Sequence, residues 1–384
     1  MKLFHLSDLH LGKRLNEHSL IEDQRHILGQ ILEMVDEESP DALLICGDVY
    51  DRPTPPIEAV TLFDDFLWET SRRELPTLII SGNHDSAERL SFGARLMEQS
   101  KVYISRTFEL GAAPVVLEDE HGPVCFHLLP FVKPVHVRVA LQKDFPQEAE
   151  AVKDYTDAVE AAVSHMGVDV SRRNVLLAHQ FVTGALPSGS EGPSVGGLDN
   201  VEARVFEPFD YVALGHLHGP QKVGRPTVRY SGTPLKYSFA EARHHKSVTV
   251  VELGAKGDVS LRLLPLEPLH DLRELRGTYD ELMLKENYAG TNTDDYLSVT
   301  LTDEEDIPNV VERLRNVYGN LMLLAYDNRR TESSEWLQDM EHVQSLTPLE
   351  LFAEFYEQQN NQPLDEGRRA IVQESIERVW EEQS

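Results

Sequence analysis

Five short apolar runs punctuate the first 220 residues, and each breaks off abruptly into Gly, Asp, Asn or His. They read KLFHLSDLH (2–10), ALLICGD (42–48), TLIISGNHD (77–85), NVLLAHQ (174–180) and YVALGHLH (211–218). Runs this short and this nearly continuous fit strands buried on both faces. Two of the intervening stretches carry helical spacing. Residues 21–38 place Ile27, Leu28, Ile31, Leu32 and Val35 on one stripe, and residues 57–72 repeat this with Val60, Leu62, Phe63, Phe66 and Leu67. Strand, helix, strand alternation implies an α/β core.

The residues at the breaks carry the chemistry. Asp8 and His10 end the first run, Asp48 and then Asp51 the second, and Asn83, His84 and Asp85 the third. His179 ends the fourth, and His216 and His218 the fifth. In an open α/β sheet, ligands bind beyond the carboxyl ends of the strands, so these residues are expected on one rim. Each piece alone is ordinary turn chemistry. The joint pattern, with imidazole at four of five strand ends, is not.

Carboxylate, imidazole and an amide carbonyl suit borderline-hard divalent metals such as manganese or iron, and no thiolate set for structural zinc is present. Asp8, His10, Asp48, Asn83, His179, His216 and His218 are too many for one ion with an open position. They suit two ions sharing a bridging carboxylate, an arrangement with metals about 3.5–4 Å apart that clamps both oxygens in phosphoester cleavage. His84 follows Asn83, so its side chain projects elsewhere and can protonate the leaving oxygen. Asp51 either holds the His84 imidazole in the right tautomer or is the turn residue of an Asp-Arg-Pro bend. His216 and His218 point the same way along an extended segment, with Leu217 opposite, which by itself suggests that both grip one ion.

The chain has 384 residues and a formal net charge of −29. That charge argues against a protein that grips phosphates over its whole surface. It leaves room for a locally basic groove, with Lys13, Arg14, Arg89, Lys133 and Arg138 as candidates. Cys46 and Cys125 sit in apolar runs as small buried hydrophobes, so no disulfide framework is expected. No run approaches the ~18 apolar residues of a membrane helix, and the N-terminus is too polar for a signal peptide, which reads as cytoplasmic.

Beyond residue 223 the texture shifts to shorter strands with a Lys-Gly-Asp turn at 256–258. After Pro265 and Pro268, residues 296–303 alternate like a strand, 307–318 read as a helix opening with Pro308, and 321–328 read as another strand. This predicts a small second domain. Residues 331–384 hold 13 acidic and 3 basic side chains and two helical patterns, the first with an aromatic face of Leu351, Phe352, Phe355 and Tyr356. Such a face either packs on a domain or docks a partner.

Taken in order, Asp8-x-His10, Gly47-Asp48-x-x-Asp51, Gly82-Asn83-His84-Asp85, His179 and Gly215-His216-x-His218 resemble the motif set of the calcineurin-like metallophosphoesterases. Within them, FHLSDLHLGK, GNHDS and YSGTPLKYSF (230–239) are similar to the SbcD-type nucleases, related to the Mre-type nucleases. The resemblance is strong over about 1–265. It implies a β-sandwich flanked by helices (1–265), a small α/β DNA-capping domain (266–340) and a C-terminal helical segment (341–384) that binds an SbcC coiled-coil ATPase. It implies two Mn(II) ions, with Mg or Fe also compatible. One would be held by Asp8, His10, Asp48 and His218, and the other by Asp48, Asn83, His179 and His216, with His84 as acid. Some relatives have histidine at the position of Asp51, so its role stays open. The implied activity is 3′–5′ exonuclease action on double-stranded DNA ends and endonuclease opening of hairpins. The implied assembly is a homodimer within a heterotetramer, built through helices such as that around Leu62–Leu67 or the segment after His84. The alternatives are a phosphatase or phosphodiesterase of the same fold with another substrate, and a non-catalytic scaffold for the ATPase. Asp85, followed by Ser86, stands where protein phosphatases of this superfamily usually carry Glu, and a scaffold has no need of seven ligands.

Overall fold

The five apolar runs are strands, but they divide between two sheets rather than sharing one. The computed structural model describes residues 1–16, 18–191 and 200–328, with scattered positions between 349 and 376, and divides into two units, Met1–Asp271 and Leu272–Ser384. In chain order the first unit begins with β1 (Lys2–Leu6), α1 (Ile21–Glu38), β2 (Ala42–Cys46), α2 (Ile57–Arg72), β3 (Thr77–Ile80) and β4 (Val102–Ile104). It continues with β5 (Val115–Asp119), β6 (Gly122–Leu129), α3 (Pro134–Leu141), α4 (Tyr155–Ser164), β7 (Arg173–His179) and β8 (Tyr211–Gly215). It closes with β9 (Gln221–Val223), β10 (Arg225–Tyr230), β11 (Ser247–Leu253) and β12 (Val259–Pro265). One sheet has the order β12-β11-β1-β2-β3-β4 and the other β9-β10-β8-β7-β6-β5. The strands that end in candidate ligands, β1 to β3 in the first sheet and β7 and β8 in the second, run parallel within their sheets.

Side-chain alternation explains the stacking. Leu3, Leu44, Cys46, Leu78 and Ile80 of the first sheet form one buried cluster with Val124, Phe126, Val175, Leu177, Tyr211 and Ala213 of the second. The intervening residues of β7 and β8, Leu176, Ala178, Val212 and Leu214, form another with Val137 and Leu141 of α3 and Ala158, Val159 and Ala162 of α4. Parallel strands need crossover connections. With one face of the first sheet covered by its partner, α1 and α2 take the other. They bury Ile27, Leu28, Ile31 and Val35, and Leu62, Phe63 and Phe66. At about 1.5–3 kcal/mol per large apolar side chain, this two-sided burial dominates the stability of the unit. One polar pair crosses the sandwich: His5 Nδ1 lies 2.8 Å from Tyr211 Oη, and its Nε2 lies 3.2 Å from the Leu214 carbonyl.

The mixed α/β sandwich matches the expected fold class. Apolar cover on both faces of β7 and β8 comes from the first sheet on one side and from α3 and α4 on the other. The Leu62–Leu67 stretch of α2 faces the core for the most part. On α2 the exposed apolar side chains include Ile57 (85%), Val60 and Trp68 (64%), and Phe92 and Leu96 are exposed in the segment after His84.

The second unit holds β13 (Leu272–Gly277), α5 (Tyr279–Met283), β14 (Tyr296–Leu301), α6 (Val310–Arg315) and β15 (Leu321–Tyr326). The strands are parallel in the order β13-β14-β15. β13 is an addition to the expected strand–helix–strand unit. The helix opens at Val310 rather than Pro308, because Asn309 adopts a left-handed φ of 54° as its N-cap. The aromatic face expected at 351–356 and the helical pair within 341–384 lie largely outside the described residues. Among the described residues, no helix is long and apolar enough to cross a membrane.

Candidate metal centre

The loops that follow the strands are stitched to one another. Asp8 N donates to the Gly47 carbonyl at 3.0 Å, His10 N to the Asp48 carbonyl at 2.9 Å and Leu11 N to the Val49 carbonyl at 2.9 Å, so the loops after β1 and β2 run as a pair. The Asp85 carboxylate accepts from Val49 N, Tyr50 N and Gly82 N at 2.9–3.1 Å, which ties in the loop after β3. Across the sandwich, His216 N donates to the Asp8 carboxylate at 3.0 Å.

This stitching holds an unusual backbone. Asp8, His10 and Asp48 have φ of 53°, 43° and 48°, and His216 has 108°. Among the described residues nine non-glycine positions have positive φ, and these are four of them. Such conformations cost of order 1–3 kcal/mol each and persist where the surroundings over-determine them. Local sterics do the rest. A Cβ on Gly215 would lie 1.8 Å from the Cys46 carbonyl oxygen, and one on Gly82 would lie 2.1 Å from Asp48 Oδ1.

All seven candidate ligands converge. Donor atoms of Asp8, His10 and His218 lie within 4.8 Å of one another, as do those of Asp8, Asp48 and His179. His10 Nε2 is 3.2 Å from His218 Nε2. Asn83 Oδ1 is 3.0 Å from both His179 Nε2 and His216 Nδ1. Asp48 Oδ2 lies between the two groups, 3.7 Å from His10 Nε2 and 3.4 Å from His179 Nε2. His216 and His218 therefore fall in different groups, although their spacing alone suggests a shared one.

The electrostatics are those of a site built for positive charge. Burial, opposed by His179 and reinforced by Asp48, pushes the Asp8 carboxyl up to about 6. Burial also acts to raise Asp48, but His179 and His10 outweigh it and hold that carboxyl well below the usual range. Burial acts to lower His179, yet Asp48 and Asp8 lift it to about 9. His10 is pushed well below its ordinary value, mainly by burial. Two buried carboxylates thus demand cations that the imidazoles supply only at the cost of burying charge. Two facing ring nitrogens 3.2 Å apart are satisfied by a common cation as well as by a shared proton. Hard oxygen and imidazole donors in this arrangement fit divalent metal ions of the manganese, iron or magnesium kind.

His84 sits beside these groups. Its ring centroid is 5.0 Å from that of His10, and its backbone N donates to Asp48 Oδ1 at 2.8 Å. Its Nδ1 lies 3.1 Å from the main-chain carbonyl of Asp51. The orienting contact expected from the Asp51 side chain is therefore made by the Asp51 backbone. The Asp51 carboxylate instead pairs with Lys13 Nζ at 2.8 Å and lies 3.7 Å from His10 Nδ1. Its carbonyl is thus the hydrogen-bond partner of the His84 ring, while its carboxylate lies within 4.8 Å of ring nitrogens of both His10 and His84.

The site opens into a cavity of about 300 Å³ whose walls include Lys13, Phe131, Lys133, Phe181 and Glu191. Several contributors have no counterpart among the residues expected from sequence. Phe131 packs edge-on to His179 and Phe181 to His216, each with centroids 6.2 Å apart. Gln24 donates to the His10 carbonyl at 2.7 Å and accepts from Gly12 N at 3.0 Å. A polar residue on the buried stripe of α1 is its only signal in the sequence. Glu241 Oε1 lies 3.0 Å from His218 Nδ1, just beyond the YSGTPLKYSF stretch, and nothing local marks this acid.

Comparison with known proteins fits this geometry. The model of the calcineurin-like phosphoesterases matches residues 1–220, and that of the type 5 capsule protein repressor C-terminal domain matches residues 268–360. A curated relative from Staphylococcus epidermidis, the D subunit of nuclease SbcCD, is 31% identical over 370 residues, with 95% of each chain covered. The crystal structure of TT1561 of Thermus thermophilus aligns over 68% of this chain and 98% of its own, with 10% identity and a TM-score of 0.37, too low to add weight.

Proposed function

Because the chain belongs to the calcineurin-like phosphoesterases and, within them, to the SbcD nuclease subunits, we propose that it cleaves DNA phosphodiesters at the centre around Asp48. The reading comprises 3′–5′ exonuclease action on duplex ends and endonuclease opening of hairpins. The observation that carries it is the convergence of seven donor residues in two groups, with Asp48 Oδ2 within 3.7 Å of both. Asp8, His10, Asp48 and His218 would hold one ion. Asp48, Asn83, His179 and His216 would hold the other, with two Mn(II) ions as the expected occupants. Ions held there supply Lewis-acid polarisation of the phosphodiester and an activated water.

The remaining roles belong to the chain. With its Nδ1–H donated to the Asp51 carbonyl, His84 exchanges protons at Nε2, where it protonates the departing oxygen. Lys13 and Lys133, on the cavity wall, take the flanking phosphates. The exposed apolar residues of α2 and the loop after β3 suit a homodimer, and the acidic C-terminal segment suits an SbcC-type ATPase that supplies the positive surface for DNA within a heterotetramer. The second unit is read as the DNA cap.

The test uses metal-stripped full-length protein resupplied with manganese, with linear duplex and hairpin DNA as substrates, alone and with its ATPase partner. Cleavage that depends on manganese and drops about 10²–10⁴-fold in His84→Ala supports the reading. Undiminished cleavage by the variant removes His84 from its role. Cleavage of small phosphodiesters but never of DNA overturns the nuclease assignment.

A further inference from the structure

The segment 230–246 is used by none of the chemistry above, yet it sets a buried ion pair against His218. Glu241 is 0% exposed and Lys246 6%. Glu241 Oε1 lies 3.0 Å from His218 Nδ1, and its Oε2 lies 2.5 Å from Lys246 Nζ. The same ammonium donates to Thr233 Oγ1 at 2.6 Å and to the main-chain carbonyl of His218 at 3.0 Å. One pair therefore grips residue 218 twice, at its ring through the carboxylate and at its backbone through the ammonium. Ser190 Oγ is a second polar neighbour of Nδ1 at 2.9 Å, and Glu191 Oε1 accepts from His218 N at 2.8 Å.

A buried pair is a poor device for stability, since well-packed apolar residues of similar volume often do as well or better. Its value here is positional. A carboxylate on Nδ1 fixes the Nδ1–H tautomer, leaves the Nε2 lone pair for a cation, and raises the basicity of the ring. The His179 ring is oriented differently: its Nδ1 donates to a neutral acceptor, the Cys46 carbonyl, at 2.8 Å.

We propose that Glu241, anchored by Lys246, is the positioning residue of the metal centre, and that it makes the Asp8–His10–His218 position the tighter of the two. The inference rests on the proposed metal centre and adds an order of filling to it. It also makes Glu241→Gln an informative substitution. The Lys246 ammonium demands an acceptor, so the amide turns its oxygen to Lys246 and its NH₂ to His218 Nδ1. The imidazole must then accept at Nδ1 and carry its proton on Nε2, the atom needed for the ion. Adding Lys246→Met removes that demand, lets the amide turn over, and restores the tautomer.

The experiment titrates metal-stripped full-length protein with Mn(II), read by calorimetry and by the electron spin resonance signal of the free ion. Two classes of site are expected in the unmodified chain. Glu241→Gln weakens the tighter class about 10–100-fold and leaves the weaker class in place. His218→Ala removes the same class, and Glu241→Gln/Lys246→Met recovers at least tenfold over the single variant. The inference is overturned if Glu241→Gln leaves the tighter class unchanged, if it weakens only the other class, or if the double variant binds as poorly as the single one. Should the single variant not fold, the double variant decides. Tight binding within tenfold of the unmodified chain supports the inference, and loss to the level of His218→Ala overturns it. An unmodified chain that binds no manganese sinks the metal centre itself, which is a different outcome.

Discussion

Gly215→Ala separates close packing from backbone freedom as the reason a glycine precedes His216. Gly215 is the last residue of β8 and is not among the positive-φ glycines, so alanine is conformationally permitted. By chain entropy alone the change would stabilise the protein by about 0.4–1 kcal/mol. The added methyl, however, would lie 1.8 Å from the Cys46 carbonyl oxygen and 2.7 Å from His179 Nδ1, where real Cβ contacts stay beyond 3.0 Å. Something must yield by about 1.2 Å, and the nearest atom is backbone rather than the end of a flexible side chain. Overpacking of this kind costs about 1–3 kcal/mol, so the net effect is destabilising. The displaced groups are those that aim His179 and His216, and misplacing a reacting constellation by about 1 Å costs on the order of 10² in rate. Thermal melting and turnover of a small chromogenic phosphodiester with manganese are the measurements. A variant with unchanged melting temperature and turnover within about threefold of the original refutes the packing argument.

Three further outcomes follow from the same structure. Chelation should lower stability reversibly, because an ion at 100 times its dissociation constant contributes about 2.7 kcal/mol through mass action; denaturant melts with EDTA and with added manganese measure the difference. His5 is held down to about 3 by burial, against an ordinary value of 6.5, so its contribution is full above pH ~6.5 and is lost as pH falls from there towards 3. Stability should therefore fall about 1.4 kcal/mol per pH unit more steeply below pH 6 in the original chain than in His5→Gln, and parallel slopes would contradict this. Asp119, held below the usual carboxylate range mainly by Arg173, pairs with it at 2.5 Å and with the N-terminal amine at 2.8 Å. Asp119→Asn should cost about 1–3 kcal/mol at neutral pH by leaving a buried guanidinium poorly matched, with the difference shrinking as pH falls through the carboxylate range; a melt at neutral pH that does not move rejects this.

The candidate ligands are legible in the sequence because a strand followed by a loop has a strong local signature. LLICGD and TLIISGNHD declare both an apolar strand and the polar residues at its end. Helices α1 and α2 are legible for the same reason, since each buries one continuous stripe. The division of the strands is not, because β1 to β3 and β7 to β8 carry the same pattern and only long-range pairing assigns each to a sheet. Asp51 illustrates a finer limit. Its spacing from Asp48 places it near His84, but spacing does not say whether carbonyl or carboxyl makes the contact. Glu241 lies 23 positions from His218 in a segment with no strand signature, so only the folded chain brings them together.

The hydrogen bond from His179 to the Cys46 carbonyl joins the tip of one sheet to the tip of the other. It works as a keystone: the two halves of the sandwich cannot slide past each other without unseating it. Three of the seven candidate ligands, His179, His216 and His218, arrive only with the second sheet. A chain still emerging from the ribosome, or one whose sheets have not yet docked, holds only part of the centre. On the proposed reading, no form of the chain that lacks the docked second sheet has a complete centre, and none needs an inhibitor to keep it from cutting a phosphodiester.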